Sequence, residues 1–180
     1  MTAPKPTPPR IPLLEAPEDP LARELFEELV SQQRLLNLHR MMAHAPPLMK
    51  ASHAMALAFR GDAKLARALV ELVILRTAQV AQCGYIFERH LPHARACGVT
   101  EPQIEELARF RVSAAFTPAQ KAALGFAEKA AQRLPVDEAA FAALRRDFAP
   151  REIVEITMLV GFYVSTAIFI NTLAVPDEGH

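Results

Sequence analysis

Four side chains that can do chemistry lie close together in the stretch from residue 71 to residue 90. Glu71 supplies a carboxylate, Cys83 a thiol, Tyr85 a phenol and His90 an imidazole. Carboxylates and imidazoles commonly move protons in enzymes, and a thiol can attack an electrophile or be oxidised. We therefore take Glu71, Cys83 and His90 as candidate catalytic residues and Tyr85 as a candidate substrate-binding residue. The alternative for Tyr85 is an ordinary aromatic residue at the edge of the core.

Glu71 lies in the middle of an apolar stretch that is predicted to be helical. Apolar residues recur at helical spacing from Leu65 to Gln82. A carboxylate in such a helix is costly to bury unless it has a hydrogen-bond partner, and burial would raise its pKa towards the range useful for acid–base catalysis. The alternative is a glutamate on the exposed face of the helix, paired with Arg76.

The separation of Glu71 from Cys83 requires a turn in the chain. Twelve residues at roughly 1.5 Å each would hold the two apart by about 18 Å on one straight helix. They can meet only if the chain turns near residues 82–84, where Gly84 disfavours a continuous helix. A second helix would then hold Cys83 in its first turn, where free N–H groups and the helix dipole lower a thiol pKa. His90 would lie two turns further along.

The spacing of Glu71, Cys83 and His90 resembles that of the carboxymuconolactone decarboxylase family, including its alkylhydroperoxidase-like branch. The resemblance covers roughly residues 50–110. In the peroxidase branch a glutamate and a histidine relay protons to a C-x-x-C pair; Cys83 occupies the first cysteine position and Ile86 the second. The resemblance implies an all-α, multi-helix alkylhydroperoxidase-like fold. It also implies a homo-oligomer (a trimer or hexamer) and chemistry without a cofactor.

The isoleucine at the second cysteine position limits the redox chemistry that this chain can perform. A single thiol cannot close the disulfide through which a C-x-x-C peroxidase cycles. Cys97 is no substitute on a continuous helix, because it would lie about 21 Å from Cys83, and a disulfide needs a Cα separation of roughly 4.4–6.8 Å. A peroxidase built on Cys83 would need an external thiol to reduce its sulfenic acid.

Composition favours one helical domain that acts on small molecules. The 180 residues are 51% hydrophobic with only 6 glycines, and 20 basic residues balance 20 acidic ones. The absence of a basic excess argues against nucleic acid as a partner. Two cysteines do not make a secreted disulfide framework, and the N-terminus has no signal-peptide pattern, so we expect a cytoplasmic protein.

The first 18 residues are predicted to be a separate, non-helical arm. They contain six prolines, namely Pro4, Pro6, Pro8, Pro9, Pro12 and Pro17. Two interpretations remain open: a disordered tail, or an arm laid over a neighbouring subunit. Residues 19–180 would then form the single helical domain.

Capping signals predict where the helices begin and end. Asp62 is the expected N-cap of the helix that carries Glu71, with Gly61 ending the helix before it. The other predicted starts are Asp19-Pro20, Pro46, Thr100 with Gln103, Thr117 with Gln120, Asp137 and Pro150, and Gly98 is a predicted stop. The segments around Glu71 (LVELVIL) and Glu155 (IVEITML) are similar in sequence. We interpret this similarity as shared composition rather than duplication of a helical unit.

The last predicted helix is unusually apolar. Residues 156–175 contain no Asp, Glu, Lys or Arg and are long enough to cross a bilayer. Polar residues interrupt the stretch and no basic residues flank it, so we expect it to be buried in the core or in a subunit interface and not in a membrane.

Two further motifs have a functional and a structural interpretation. Arg40 could bind a substrate carboxylate with both arms of its guanidinium, or it could be a structural arginine. His90 and His93 could share a metal ion from one helix face, but Pro92 lies between them and no third ligand is assured. We therefore expect no metal.

Three hypotheses for function follow. The first is a cofactor-free enzyme in which Glu71 and His90 transfer protons during decarboxylation of a small carboxylated or lactone-like substrate. The second is an alkylhydroperoxidase-like thiol peroxidase that uses Cys83. The third is a non-catalytic helical oligomer that retains a degenerate site.

Overall fold

The computed structural model describes residues 8–178, and all the regular secondary structure within them is helical. There are nine α-helices, one short 3₁₀ helix between α6 and α7 (Leu107–Arg109), and no β-strand in the described part of the chain. The helices are α1 Pro20–Ser31, α2 Asn37–Met42, α3 Pro46–Gly61, α4 Arg67–Val80, α5 Gly84–Ala96, α6 Glu101–Glu105, α7 Pro118–Ala131, α8 Glu138–Asp147 and α9 Pro150–Leu173. The predicted all-α class is confirmed.

Most of the predicted helix starts are confirmed by side-chain caps. The carboxylate of Asp19 accepts the N–H groups of Leu21 and Ala22, which satisfies two of the donors that a helix leaves free at its first turn. Thr100 and Thr117 each form the predicted capping box, and Asp137 caps α8. The helix after Thr100 is short: α6 ends at Glu105, and a 3₁₀ turn follows it at Leu107–Arg109.

The start of α4 differs from the prediction and is held by another helix. Asp62 is not its N-cap; α4 begins after Ala66, which has no side-chain acceptor. Glu155 on α9 accepts the N–H groups of Lys64 and Leu65 instead, at 2.9–3.1 Å. The loop before α4 is therefore anchored by a carboxylate that is distant in the sequence, and this anchor helps to set the position of the first two turns of α4, which carry Arg67 and Glu71.

The predicted turn between α4 and α5 is confirmed, but the residue that adopts the left-handed backbone conformation is not the expected glycine. Gln82, and not Gly84, has the positive φ of 50°. The N–H of Cys83 donates to the carbonyl of Ala78 at 3.0 Å, and the N–H of Gln82 to Gln79 at 3.2 Å. This pair of bonds is a Schellman motif, so one short turn both ends α4 and makes Cys83 the N-cap of α5.

The chain divides into two compact units. The first is Met1–Ala58 with Phe169–His180, and the second is Phe59–Ile168. A small apolar cluster forms the core of the first unit within its described residues. Its buried members are Ala22, Leu25, Phe26, Leu29, Ala43 and Met49. The prediction of a single domain over residues 19–180 stays a prediction.

The described part of the proline-rich arm contains no helix and bonds to its own chain. Residues 1–7, with Pro4 and Pro6, lie outside the described residues. The N–H of Arg10 donates to the carbonyl of Leu173 at 3.0 Å, and a ring nitrogen of His44 lies 2.8 Å from the carbonyl of Pro12. These bonds tie residues 8–18 to the rest of the first unit.

The second unit is built around α4. This helix packs against α5 and against α7, and α7 packs against α8. Its central turns are buried on every side, which explains why the apolar pattern there is nearly continuous. One buried apolar cluster of this unit contains Leu72, Leu75, Ala94, Val99, Leu107, Phe110, Phe116 and Leu124.

Helix α9 is the one helix in residues 8–178 that is long and apolar enough to cross a membrane. The mean hydropathy of its most apolar window is 2.0, and 39% of that window is buried. Buried core helices of soluble proteins have the same length and composition, so these properties do not distinguish a membrane span from a packed helix.

Candidate active site

Glu71 is buried in the centre of the second unit. Its exposed fraction is 1%, so the alternative of a surface glutamate paired with Arg76 is wrong. Arg76 bonds to Glu128 on α7 instead. Because α4 is surrounded by α5 and α7, a carboxylate at position 71 must find its partners inside the protein.

Both oxygens of the Glu71 carboxylate have a partner. Oε2 lies 2.7 Å from Nδ1 of His90, and Oε1 accepts Nη2 of Arg67 at 2.8 Å. Arg67 is four residues before Glu71, the spacing that places two side chains on the same helix face. The carboxylate therefore bridges a residue of its own helix and a residue of α5, which offsets the cost of burying its charge.

The pKa of Glu71 is lowered, contrary to the expectation from the sequence. Burial by itself raises the pKa of this carboxyl group. The hydrogen bond to His90 and the charges of His90, Arg67 and His93 together outweigh burial, and the pKa falls below the ordinary value of 4.5. Glu71 is therefore an anion at neutral pH, suited to orient and stabilise an imidazole rather than to donate a proton itself.

The ionised Glu71 determines which nitrogen of His90 carries a proton. An ionised carboxylate can only accept hydrogen bonds, so Nδ1 of His90 must be the donor in their 2.7 Å contact. Nε2 is then the nitrogen that can take up or release a proton. A carboxylate that fixes the tautomer and stabilises the imidazolium is the arrangement found in many acid–base sites. His90 is 8% exposed, so this pair is largely shielded from water.

A second tyrosine completes the surroundings of His90, and sequence reasoning did not identify it. The ring of Tyr163 on α9 meets the His90 ring edge to face, with centroids 5.1 Å apart. Burial raises the pKa of the Tyr163 hydroxyl above its usual range, although a hydrogen bond from Arg60 and the charges of Arg60 and Arg67 oppose the shift. The hydroxyl therefore stays protonated. A phenol inside the charge-free stretch 156–175 was the signal available in the sequence.

Cys83 does not have the activated environment that its position predicts. The thiol is 1% exposed, and burial raises its pKa, although hydrogen bonds from the backbone N–H groups of Ile86 and Tyr85 lower it in part. The expectation that the start of α5 lowers the pKa of this thiol is wrong, because loss of hydration outweighs the free N–H groups. No hydrogen bond between the thiol and either Glu71 or His90 is present in residues 8–178.

The remaining candidates lie in different environments. Tyr85 is half-buried in the first turn of α5, two residues after Cys83. Ile86, at the second cysteine position of the motif, is buried. Arg40 belongs to α2 in the first unit, where it forms an ion pair with the exposed carboxylate of Glu15. The structure therefore brings together Glu71 and His90, whereas the roles of Tyr85 and Arg40 in binding substrate stay predictions.

The second unit offers few ligands for a metal ion near this pair. The His90 and His93 rings lie 5.9 Å apart between centroids. Within residues 8–178, no three His, Cys, Asp or Glu side chains are grouped so that they could hold a metal.

The helical arrangement belongs to a known class of fold, the alkylhydroperoxidase-like fold. A peroxidase-related protein from Ralstonia eutropha JMP134, described as an alkylhydroperoxidase AhpD core, matches with a TM-score of 0.79 and 24% identity over 94% of this chain and 92% of that one. A peroxidase-related protein from Silicibacter sp. TM1040 gives 0.79 and 23% over 96% and 95%. The apo debrominase Bmp8 gives 0.78 and 17% over 93% and 91%. At these identities the likeness establishes the fold alone.

Part of the sequence is similar to a known protein family. Residues 46–129 match the carboxymuconolactone decarboxylase family. This match confirms, for that segment of the chain, the resemblance drawn from Glu71, Cys83 and His90. None of the curated protein sequences matches the chain.

Proposed function

We propose that this protein is a cofactor-free acid–base enzyme that decarboxylates, or moves protons on, a small carboxylated or lactone-like substrate. The observation that carries the proposal is the buried contact of 2.7 Å between Nδ1 of His90 and Oε2 of Glu71. The family includes decarboxylases, and the contact leaves Nε2 of His90 as the nitrogen that can carry the transferred proton.

The proposed reaction needs one proton donor of suitable acidity. When the bond between the substrate carbon and its carboxylate breaks, carbon dioxide leaves and the electron pair stays on carbon, delocalised into a neighbouring carbonyl group. Nε2 of His90 then donates a proton to that carbon, and His90 recovers a proton from water. Glu71 stabilises the protonated imidazole through Nδ1, so that the same residue can serve in every turnover.

The direct test compares two histidines of the same helix. The wild type is assayed with a panel of small carboxylated lactones and 1,3-dicarbonyl acids, by carbon dioxide release and by deuterium uptake from D₂O. We expect His90→Gln to lower kcat by about 10²–10⁴-fold, the usual contribution of general acid–base catalysis. The exposed His93 provides the matched control, because it makes only the smallest of the contributions that lower the pKa of Glu71, and His93→Gln should retain most of the activity.

Retention of full activity in His90→Gln would overturn the proposal. If Glu71→Ala, Cys83→Ala and His90→Ala changed only the stability of the fold, the protein would instead be a non-catalytic helical oligomer with a degenerate site.

A second candidate function is a thiol peroxidase that uses Cys83. The backbone N–H groups of Tyr85 and Ile86 are directed at the sulfur, which is the feature that favours this alternative. Peroxide would oxidise the thiolate to a sulfenic acid with release of water, and an external thiol would have to reduce it, because Ile86 occupies the position of a resolving cysteine. Burial of Cys83 makes this the weaker candidate.

The proposal extends to the setting in which the enzyme works. We propose a cytoplasmic homo-oligomer that acts on a small molecule and binds neither nucleic acid nor membrane. The support is the neutral composition, with 20 basic and 20 acidic residues, and the apolar side chains exposed on α9. Val154, Met158 and Ile168 are exposed along this helix, and a subunit interface would cover them.

A further inference from the structure

We infer that Arg60 is the specificity-determining residue of this site: its guanidinium binds a carboxylate of the substrate, and Tyr163 positions it beside His90. The inference rests on the proposed function, which it deepens by naming the residue that selects an acidic substrate.

Two contacts hold the end of α3, which carries Arg60. The neighbouring residue Phe59 is buried, and its ring packs against Phe162 of α9 with centroids 5.8 Å apart. The carbonyl of Phe59 accepts Nη1 of Arg67 at 3.0 Å. The last turn of α3 is therefore attached to α9 and to the first turn of α4, and Arg60 cannot move far from either.

Tyr163 connects Arg60 to the catalytic pair. Its ring contacts the His90 ring edge to face at 5.1 Å, and the guanidinium of Arg60 lies close enough to its hydroxyl to lower the pKa of Tyr163. The pairs Phe59–Phe162 and Arg60–Tyr163 involve consecutive residues on the same two helices, so the aromatic contact and the polar contact support each other. A group bound by Arg60 would lie next to Tyr163, whose ring contacts His90.

Arg60 and Arg67 differ in whether their positive charge is already compensated by a carboxylate of the protein. Arg67 donates to the Phe59 carbonyl and to the Glu71 carboxylate, so its charge is neutralised inside the site. Arg60 is exposed and forms no ion pair with a carboxylate in residues 8–178. Arg60, Arg67 and Glu71 together therefore carry one net positive charge, and the surplus is on the residue that solvent can reach.

A guanidinium in this position fits the chemistry of a carboxylate. Its planar fork can hold both carboxylate oxygens at once, which gives orientation as well as attraction. The hydroxyl of Tyr163 stays protonated, so it can lie beside the Arg60 guanidinium together with the ligand without adding negative charge. An ester or amide of the same substrate would lose the charge-assisted bonds and bind more weakly.

The test measures binding and not turnover. Isothermal titration compares two probes, γ-butyrolactone-γ-carboxylate and its methyl ester, on the wild type and on Arg60→Gln, Arg60→Lys, Tyr163→Phe and Arg109→Gln. We expect the wild type to bind the carboxylate about tenfold or more tightly than the ester, as for a hydrogen-bonded charged group. Arg60→Gln should abolish this preference, and Arg60→Lys and Tyr163→Phe should keep part of it.

Arg109→Gln is the matched control, because it removes the same charge from an exposed site elsewhere in the second unit. It should keep the full preference for the carboxylate. The inference is overturned if the wild type does not bind the carboxylate or shows no preference, or if the preference survives in Arg60→Gln. Thermal unfolding of each variant verifies that the fold is intact.

Failure of this inference can be told apart from failure of the proposed function. Unchanged probe binding in Arg60→Gln, with kcat lost in His90→Gln, would remove Arg60 and leave the acid–base role of His90 in place. Loss of the carboxylate preference in Arg60→Gln, with full turnover in His90→Gln, would support Arg60 as an anion site and overturn the proposed chemistry.

Discussion

Nδ1 of His90 lies 2.7 Å from Oε2 of Glu71, although the two residues are 19 positions apart and belong to different helices. The contact is possible because the Schellman turn at Gln82 folds α5 back against α4. Arg67 holds the second oxygen of the same carboxylate, so the charge of Glu71 is compensated from both helices.

Replacing Glu71 by Gln should alter how stability depends on pH. The folded-state pKa of Glu71 is below its ordinary value of 4.5, so the group contributes stability that is present above that pH and is lost as the pH falls through the lower, folded pKa. In Glu71→Gln this part of the acid destabilisation should disappear, and at neutral pH the variant should be less stable by about 1–3 kcal/mol. Urea unfolding over a series of pH values measures both effects.

The control for this experiment is Glu105→Gln on the exposed side of α6. It should leave the stability at neutral pH nearly unchanged. A parallel pH dependence in the wild type and in Glu71→Gln would contradict the assignment of an ionised, bridging carboxylate.

Cys83 should react slowly with alkylating reagents in the folded protein. Burial raises the pKa of the thiol, so little thiolate is present near neutral pH, and the sulfur is only 1% exposed. Mass spectrometry after a short exposure to iodoacetamide should show Cys97, which is partly exposed, labelled before Cys83. Both should react at similar rates in denaturant. Rapid labelling of Cys83 near neutral pH, or its oxidation by dilute peroxide, would favour the peroxidase alternative.

Replacing Glu155 by Ala should loosen the start of α4. The carboxylate accepts the N–H groups of Lys64 and Leu65, and the variant leaves both without that acceptor. We expect a loss of about 1–3 kcal/mol in unfolding free energy and faster hydrogen exchange at these two amides. Glu138→Ala removes an exposed ion pair with Arg145 and should cost no more than about 1 kcal/mol. Unchanged exchange at Lys64 and Leu65 would contradict the anchoring role of Glu155.

A charge on the exposed face of α9 should disrupt the proposed homo-oligomer. Ile168 is 57% exposed on this helix, and Ile168→Glu would place a carboxylate in the proposed interface. Light scattering after size-exclusion chromatography should show an oligomer for the wild type and a smaller species for this variant. Val112, which is 86% exposed elsewhere, provides the control, and Val112→Glu should assemble as the wild type does. A monomeric wild type would exclude the assembly.

Local sequence signals predicted the helices well because helix ends are local structures. Asp19, Thr117 and Asp137 each accept an N–H two or three residues later, so their role can be read directly from spacing. The prediction failed at Asp62, where the N–H groups before α4 bond to Glu155, a residue about 90 positions away. No local pattern contains that information.

The sequence by itself determined the helical class, the turn between α4 and α5, and the family to which the spacing of Glu71, Cys83 and His90 points. Only the tertiary structure decided the protonation of the site. Burial is common to Glu71 and Cys83, but Glu71 meets a histidine and an arginine and its pKa falls, whereas the groups that oppose burial at Cys83 are two backbone N–H groups and its pKa rises. Desolvation disfavours every charge alike, so the partners brought by other helices decide which groups stay ionised.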